Sequence, residues 1–418
     1  MGFFLTCLYV ILIFLRPQEF IEEIKGWPLV AYTAYTSMAV VFLQGSFRAE
    51  IFKRSPTNLL MCLFWLSLPL SQMANLWLGG AIYAFNEFAK VAILYFLVVI
   101  TVDSWHRIKV FIWILIFCST FLGTQAIVQY HTGVGLVGGE ALLRDQEILQ
   151  ARGIGIFADP NDLAIHIVPM MAFVLPAFHR RFLSPTWITG FLFLVPMVAG
   201  VVYTRSRGGM LGLAAVGWFY LRKRVGKVTS IFGLLLILSV IMALPRMGEI
   251  TPEEESARSR LEHWGHGLEQ FKQKPLFGIG YEMFNADYSH TAHNSFVLIF
   301  TEAGIVGATL WVALFFCTFR DLRYLRDQWR GPPFLDNVVD SLVGALFAWQ
   351  VSAFFLSQTY KSLSFVLMAL VVAVQNILAQ DKILLDHPWG LREYTVSFVL
   401  TVAGIIFMHF LVMILWNF

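Results

Sequence analysis

Apolar residues arrive in long runs, and nothing else in this sequence limits its fold so severely. A helix of about twenty apolar residues crosses a hydrocarbon core about 30 Å thick. Runs of roughly this kind recur near 2–15, 28–45, 58–78, 82–102, 108–128, 162–178, 186–203, 208–221, 228–245, 293–319, 336–356, 361–379 and 394–416. Lipid offers no partner to an exposed backbone N–H or C=O, so each span must be a helix that satisfies its own groups. A soluble alternative fails on composition. The chain is 58% hydrophobic and only 14% charged, whereas a water-facing domain carries about a quarter charged residues. The expected fold is all-α: a polytopic transmembrane helical bundle of twelve to thirteen spans, forming one domain over 1–418 with a partly helical loop at 246–292. The fourth run, which contains Glu87 and Lys90, is the most interrupted. The first has neither a basic leading region nor a small-residue cleavage site, so it reads as a retained span rather than a signal peptide.

Charge fixes an orientation. The formal net charge of +3 is too small to suggest a nucleic acid partner. Its distribution says more. With the N-terminus inside, the basic clusters Arg107/Lys109, Arg180/Arg181, Arg222–Lys227 and Arg320–Arg330 all fall in inner loops, as the positive-inside rule requires. Two longer segments, about 129–161 and 246–292, then lie outside, and thirteen spans put the C-terminus outside too. Cys7, Cys62, Cys118 and Cys317 all sit in apolar runs without a C-x-x-C pair, and read as small buried hydrophobes rather than a disulfide framework or a metal knuckle.

The segment 246–292 is too polar to insert. Leu261, Trp264, Leu268 and Phe271 recur at helical spacing, giving an apolar face suited to lying on a bilayer surface. Lys274-Pro275 should end that helix, because proline cannot continue it. His293-Asn294-Ser295 follows at the mouth of the tenth span. Histidine titrates nearest neutrality and suits proton abstraction from a hydroxyl, which makes His293 the candidate base and His290 the weaker one. His293 could instead cap the helix or bind headgroups, while His263 and His266 read as solvated.

A second cluster, Tyr203-Thr204-Arg205-Ser206-Arg207-Gly208-Gly209, occupies a short outer turn between two spans. Two arginines this close to hydrocarbon are costly unless paired or functional. Guanidinium groups hold phosphate bidentately, and glycines let backbone amides approach an anion. Arg205 and Arg207 therefore suit a lipid pyrophosphate, although snorkelling to headgroups is the plain alternative. Arg260 shares a helical face with Trp264, and could add a phosphate contact or pair with Glu262. Asp159-Pro160-Asn161 opens the sixth span as a cap or a functional element, and Glu302 lies inside the tenth, where packing against a bonded neighbour is favoured. No P-loop, no G-x-G-x-x-G opening a helix after a strand, no G-x-S-x-G and no D-x-D pattern is present, which disfavours a donor activated by nucleotide and metal.

In combination these pieces resemble the O-antigen ligase and polymerase superfamily. Thr204-Arg205-Ser206-Arg207-Gly208-Gly209 is similar to its S-R-G-G turn. Arg260-Leu261-Glu262-His263-Trp264, with Lys274 to Gly280 and Phe284, is similar to its R-L-x-x-W…P-L-x-G-x-G…F loop, and His293-Asn294-Ser295 with Glu302, Gly304 and Gly307 to its H-N-S…E-x-G-x-x-G ending. The resemblance covers about 150–310. It implies a membrane-embedded glycosyltransferase of the bacterial inner membrane that needs no metal or cofactor and works on the periplasmic face. Its donor would be a glycan on undecaprenyl pyrophosphate, its acceptor a lipid A core sugar or another glycan, and membrane lipids its surroundings. His293 would be the general base and Arg207, Arg260 and Arg205 the pyrophosphate ligands, with Trp264, His290, Asn294 and Glu302 as secondary candidates. A repeat-unit polymerase and a protein O-oligosaccharyltransferase would share these motifs. A lipid-linked glycan transporter would instead carry charges midway through its spans.

Overall fold

The computed structural model describes residues 1–45, 55–136, 143–145, 148–153, 159–242, 255–287, 291–328, 337–380 and 390–416. Every expected apolar run lies on a helix: α1 (Gly2–Leu15), α2 (Leu29–Leu43), α3 (Pro56–Ala74), α4 (Leu78–Thr101), α5 (Trp105–Thr132), α6 (Pro160–Val174), α7 (Pro185–Thr204), α8 (Arg207–Val225), α9 (Lys227–Met242), α12 (Ser295–Gln328), α13 (Val338–Ala353), α14 (Ser362–Gln380) and α15 (Leu391–Trp416). Two further helices, α10 (Glu255–Gln273) and α11 (Phe284–Asp287), belong to the polar segment between α9 and α12. Among the described residues, eight helices are long and apolar enough to cross a membrane, and the protein is a polytopic all-α membrane protein. The charges expected to weaken α4 neutralise each other: Lys90 Nζ lies 2.6 Å from Glu87 Oε1, one helical turn away. Cys7, Cys118 and Cys317 are buried, as their apolar settings required.

The chain forms two compact units, each assembled from three stretches. The first comprises Met1–Val40, Ser104–Ile250 and Trp329–Ser352. Within it, α5 packs along α7, and α6 lies against both α7 and α8. The α5–α7 crossing is close because Gly123 faces Gly200; a Cβ on Gly200 would lie 2.6 Å from the Gly123 Cα. Small residues allow such approach where lipid supplies no hydrophobic drive to association. A short hairpin, β1 (Leu143–Asp145) with β2 (Ile148–Gln150), pairs antiparallel with Leu143 opposite Gln150. No periodicity in the sequence announces it.

The second unit comprises Val41–Asp103, Thr251–Gln328 and Ala353–Phe418. Its most enclosed element is α14, buried at every position from Ser362 to Leu378, while α15 keeps most of its apolar surface open, as a lipid-facing helix does. The amphipathic helix α10 departs from expectation. Its apolar face is covered by protein rather than left for a bilayer surface: Trp264 and Leu268 are buried. Phe271 meets Phe300 of α12 at 5.4 Å, and Thr301 Oγ1 donates to the Gly267 carbonyl at 3.0 Å. Amphipathic spacing announces that a face needs cover, and here α12 supplies it. The Lys274-Pro275 stop falls where the sequence put it.

Candidate functional site

The arginine turn is built by two helix ends meeting head to tail. Arg205 closes α7 in a left-handed conformation, φ 54°, and its N–H donates to the Val202 carbonyl at 3.1 Å. Ser206 then caps α8, its hydroxyl accepting from the Gly209 N–H at 3.1 Å and donating to Asn161 Oδ1 at 2.7 Å. Asn161 is itself positioned by the cap of α6, where Asp159 Oδ1 accepts from its N–H at 2.7 Å. Asp159-Pro160-Asn161 thus acts as a cap, and as a cap that braces the arginine turn. Gly209 lies directly on the Ala164 methyl, where any side chain would collide.

Arg207 is the first residue of α8, at the positive end of the helix dipole, and Arg205 precedes it by two. Helix N-termini attract anions through dipole and amides together, so the turn concentrates positive character from backbone and side chains alike. Tyr203 of the same cluster, joined by Tyr130 and His131, which no motif singled out, completes it. Tyr130 accepts from the Arg205 guanidinium at 3.4 Å and stacks on Tyr203 at 4.3 Å. Tyr203 in turn bonds His131 Nε2 at 3.0 Å. The Ala151 N–H donates to the Tyr203 carbonyl and the Arg152 N–H to Gln129 Oε1, fastening the segment after β2 to the same end of α5 and α7. Aromatic residues at span ends were the only sequence signal for this set.

In the second unit, His293 also takes a left-handed backbone conformation, φ 48°. Such a conformation is uncommon for a non-glycine residue and costs roughly 1–3 kcal/mol, so it persists only where the surroundings over-determine it. They do. Trp264 Nε1 donates to the Ala292 carbonyl at 2.9 Å, and Thr291 Oγ1 to Ser357 Oγ at 2.7 Å. Asn294 caps α12, Oδ1 accepting from the Phe296 and Val297 N–H groups at 2.9 and 3.1 Å. Ser295 Oγ donates to the Leu356 carbonyl at 2.6 Å and accepts from the Gln358 N–H at 2.8 Å, while Thr359 Oγ1 donates to the Ser295 carbonyl at 2.9 Å. The residues on each side of the histidine are therefore fixed, and His293 itself is only half-buried.

The His293 ring centroid lies 6.4 Å from that of His263. His263 is buried, which corrects the expectation that it is solvated: it shares the covered face of α10 with Trp264. Arg260 is one turn away on that face. Glu262 pairs with Arg258 at 3.5 Å. His290 lies outside the described residues.

Below this site α12 is broken, and the break is a joint. Gly304 has φ 62° and ψ −166° inside the helix. The opened carbonyls of Thr301 and Glu302 accept from the Ile279 and Gly280 N–H groups, each at 3.0 Å. The Ile305 and Val306 N–H groups donate to the Pro275 and Leu276 carbonyls at 2.8 and 3.2 Å. Four backbone bonds thus dock the segment after α10 into the helix. The end of α3 adds three more: Ser71 Oγ to the Glu302 carbonyl (2.6 Å), Gln72 Nε2 to the Tyr281 carbonyl (2.8 Å) and Asn75 Nδ2 to the Gly278 carbonyl (2.9 Å). Glu302 is buried and its Oε1 accepts from the Phe284 N–H at 3.1 Å, the packing role expected of it. Burial foremost, and then Glu282, holds the Tyr281 hydroxyl well above the usual phenol range, so it stays protonated.

Comparison with known proteins bears on the same stretch. Residues 192–312 match the family described as O-Antigen ligase. The chain is similar to the O-antigen ligase of Pseudomonas aeruginosa, 26% identical over 233 residues, which is 50% of this chain and 56% of that protein. The likeness thus spans little more than half the length of that relative, and the family match takes in the arginine turn, α10 and the first half of α12.

Proposed function

We propose that this chain is a member of the O-antigen ligase family and a glycosyltransferase that moves a glycan from undecaprenyl pyrophosphate to an acceptor hydroxyl. The acceptor is a sugar of the lipid A core. The reaction takes place at the periplasmic face of the bacterial inner membrane, where 246–292 forms the large loop of a single transmembrane domain. The observation that carries this reading is the strained, over-braced His293, one residue before a helix cap and beside the helix that bears Arg260.

The roles follow from the chemistry. The acceptor oxygen attacks the anomeric carbon as its proton passes to the neutral imidazole of His293, while the bond from that carbon to the phosphate oxygen breaks. The electron pair leaves on the pyrophosphate. Arg207, Arg260 and Arg205 are the residues assigned to the pyrophosphate, whose developing charge calls for the fixed electrostatic stabilisation that contributes most to many enzymes. Pyrophosphate is already a good leaving group, and the mechanism uses no cofactor and no metal. Trp264 and Asn294 position His293, and Glu302 holds the turn at Phe284.

The test is transfer in reconstituted membranes from purified undecaprenyl-pyrophosphate glycan, offering in parallel lipid A core, a lipid-linked repeat unit and a peptide acceptor. Transfer to lipid A core is the expected result. Extension of the repeat unit alone would make the protein a polymerase, and modification of the peptide alone a protein O-oligosaccharyltransferase. Movement of donor across the bilayer with no transfer would make it a transporter.

A further inference from the structure

The first unit holds a second site, at the far end of its helices from the arginine turn. There α5, the end of α6, α7 and the start of α13 enclose a cavity of about 430 Å³, within the range of about 300–1,000 Å³ occupied by small-molecule sites. The 20 residues of α7 run from the cavity to the turn, and at about 1.5 Å per residue that is about 30 Å, one hydrocarbon thickness. The two ends of α7 therefore belong to opposite boundaries of the membrane.

The cavity is sided. Its lining is largely apolar, with Ile112, Ile116, Val174 and Phe193, and its two basic residues are Lys109, one helical turn before Trp113 on α5, and Arg180, which follows the end of α6. Its boundary position is marked independently by aromatic pairs of the kind that settle at headgroup level. Trp113 meets Phe193 edge-on at 5.4 Å, and Trp187 meets Phe178 at 5.4 Å and Phe182 at 4.8 Å.

We propose that this cavity binds an acidic glycerophospholipid, an acyl chain along the apolar wall and the headgroup phosphate between Lys109 and Arg180. Charge complementarity selects the headgroup. A zwitterionic lipid brings an ammonium group that opposes two cations, whereas an anionic one brings net negative charge; basic pockets between membrane helices favour anionic headgroups on this ground. The lipid belongs to the leaflet opposite the Arg205–Arg207 turn, so this site is distinct from the one assigned to the pyrophosphate donor.

The test uses the full chain, purified, delipidated and placed in vesicles of phosphatidylcholine with graded phosphatidylglycerol, followed by native mass spectrometry of retained lipid. Phosphatidylglycerol should be retained over phosphatidylcholine by on the order of tenfold, given the effect of two juxtamembrane cations. Lys109→Gln/Arg180→Gln should abolish that preference, while Arg181→Gln, beside the cavity but not lining it, should keep it. Thr189→Trp, which intrudes on the acyl slot, should reduce retention of both lipids, with helix content by circular dichroism confirming the fold of each variant. Inorganic phosphate alone should not raise thermal stability, whereas phosphatidylglycerol should. Equal retention of the two lipids, a loss in Arg181→Gln matching that of the double variant, or stabilisation by phosphate alone would each overturn the proposal.

Discussion

At the scale of single residues, His293 carries two burdens that substitution can separate: a left-handed backbone and an imidazole. Asparagine tolerates that backbone better than most side chains but cannot take up a proton. His293→Asn should therefore fold with an unchanged melting temperature and lose transfer by at least about a hundredfold, the size of a general-base contribution, with donor binding retained. Transfer by the His293→Asn variant at close to the wild-type rate would remove the base from the mechanism. In the wild type, transfer should fall as the medium is acidified and the imidazole becomes protonated, because imidazolium has no lone pair to offer. Arg207 is tested by charge against shape. Arg207→Lys keeps the cation and loses the bidentate fork, so donor binding should weaken sharply at normal expression; near-normal binding would reduce the role to generic attraction. His293, Asn294 and Arg207 were legible because each lies in a short contiguous motif whose chemistry is local. Ser357, Thr359 and Tyr130 were not, since their partners are 66, 64 and 75 residues distant and no spacing rule reaches that far.

Between residues and the whole chain stands the joint of α12 with the segment after α10. Gly278 and Gly304 both have positive φ, 72° and 62°, and a Cβ on either would run into the opposing backbone, at Glu302 and Leu276 respectively. Gly278→Ala and Gly304→Ala should each lower the melting temperature markedly, the left-handed strain alone costing roughly 1–3 kcal/mol. Because both break one joint, the double variant should lose much less than the two losses combined. Simple additivity in thermal denaturation would mean that the two glycines serve unrelated packing. Elements of this kind divide by what fixes them. The long apolar helices were readable, since composition and length dictate them before any tertiary contact forms. The destination of α10 was not: a 3.6-residue period identifies a face that needs cover, and both a bilayer and α12 would satisfy it. The β1–β2 hairpin was invisible for a related reason, two strands of three residues giving no period to read.

For the molecule entire, composition alone was enough to require a membrane, but the grouping of helices was beyond the sequence. Each unit gathers three separate stretches, and which helix accompanies which depends on close approaches such as Gly123 on Gly200, which no spacing in the sequence announces. Sidedness, in contrast, rests on charge. In the second unit, His293 precedes the first residue of α12 and Arg320, Arg323 and Arg326 lie near its last turns. The 34 residues of that helix, kinked at Gly304, are more than a bilayer requires. Arg320 is held there by Asp321 at 3.0 Å and lies 3.8 Å from Glu393 at the start of α15. The positive-inside rule assigns such a basic end to the cytoplasm, which sends the His293 end, and Lys272 at the exposed end of α10, to the periplasm. With Cys7, Cys62, Cys118 and Cys317 replaced, Lys272→Cys should react with an impermeant maleimide in intact spheroplasts. Arg326→Cys should react only after lysis. The comparison is internal, since the two positions flank the same helix and one reagent reads both. Labelling of Arg326→Cys in intact cells, with Lys272→Cys protected, would invert the chain and leave a periplasmic donor without access to His293.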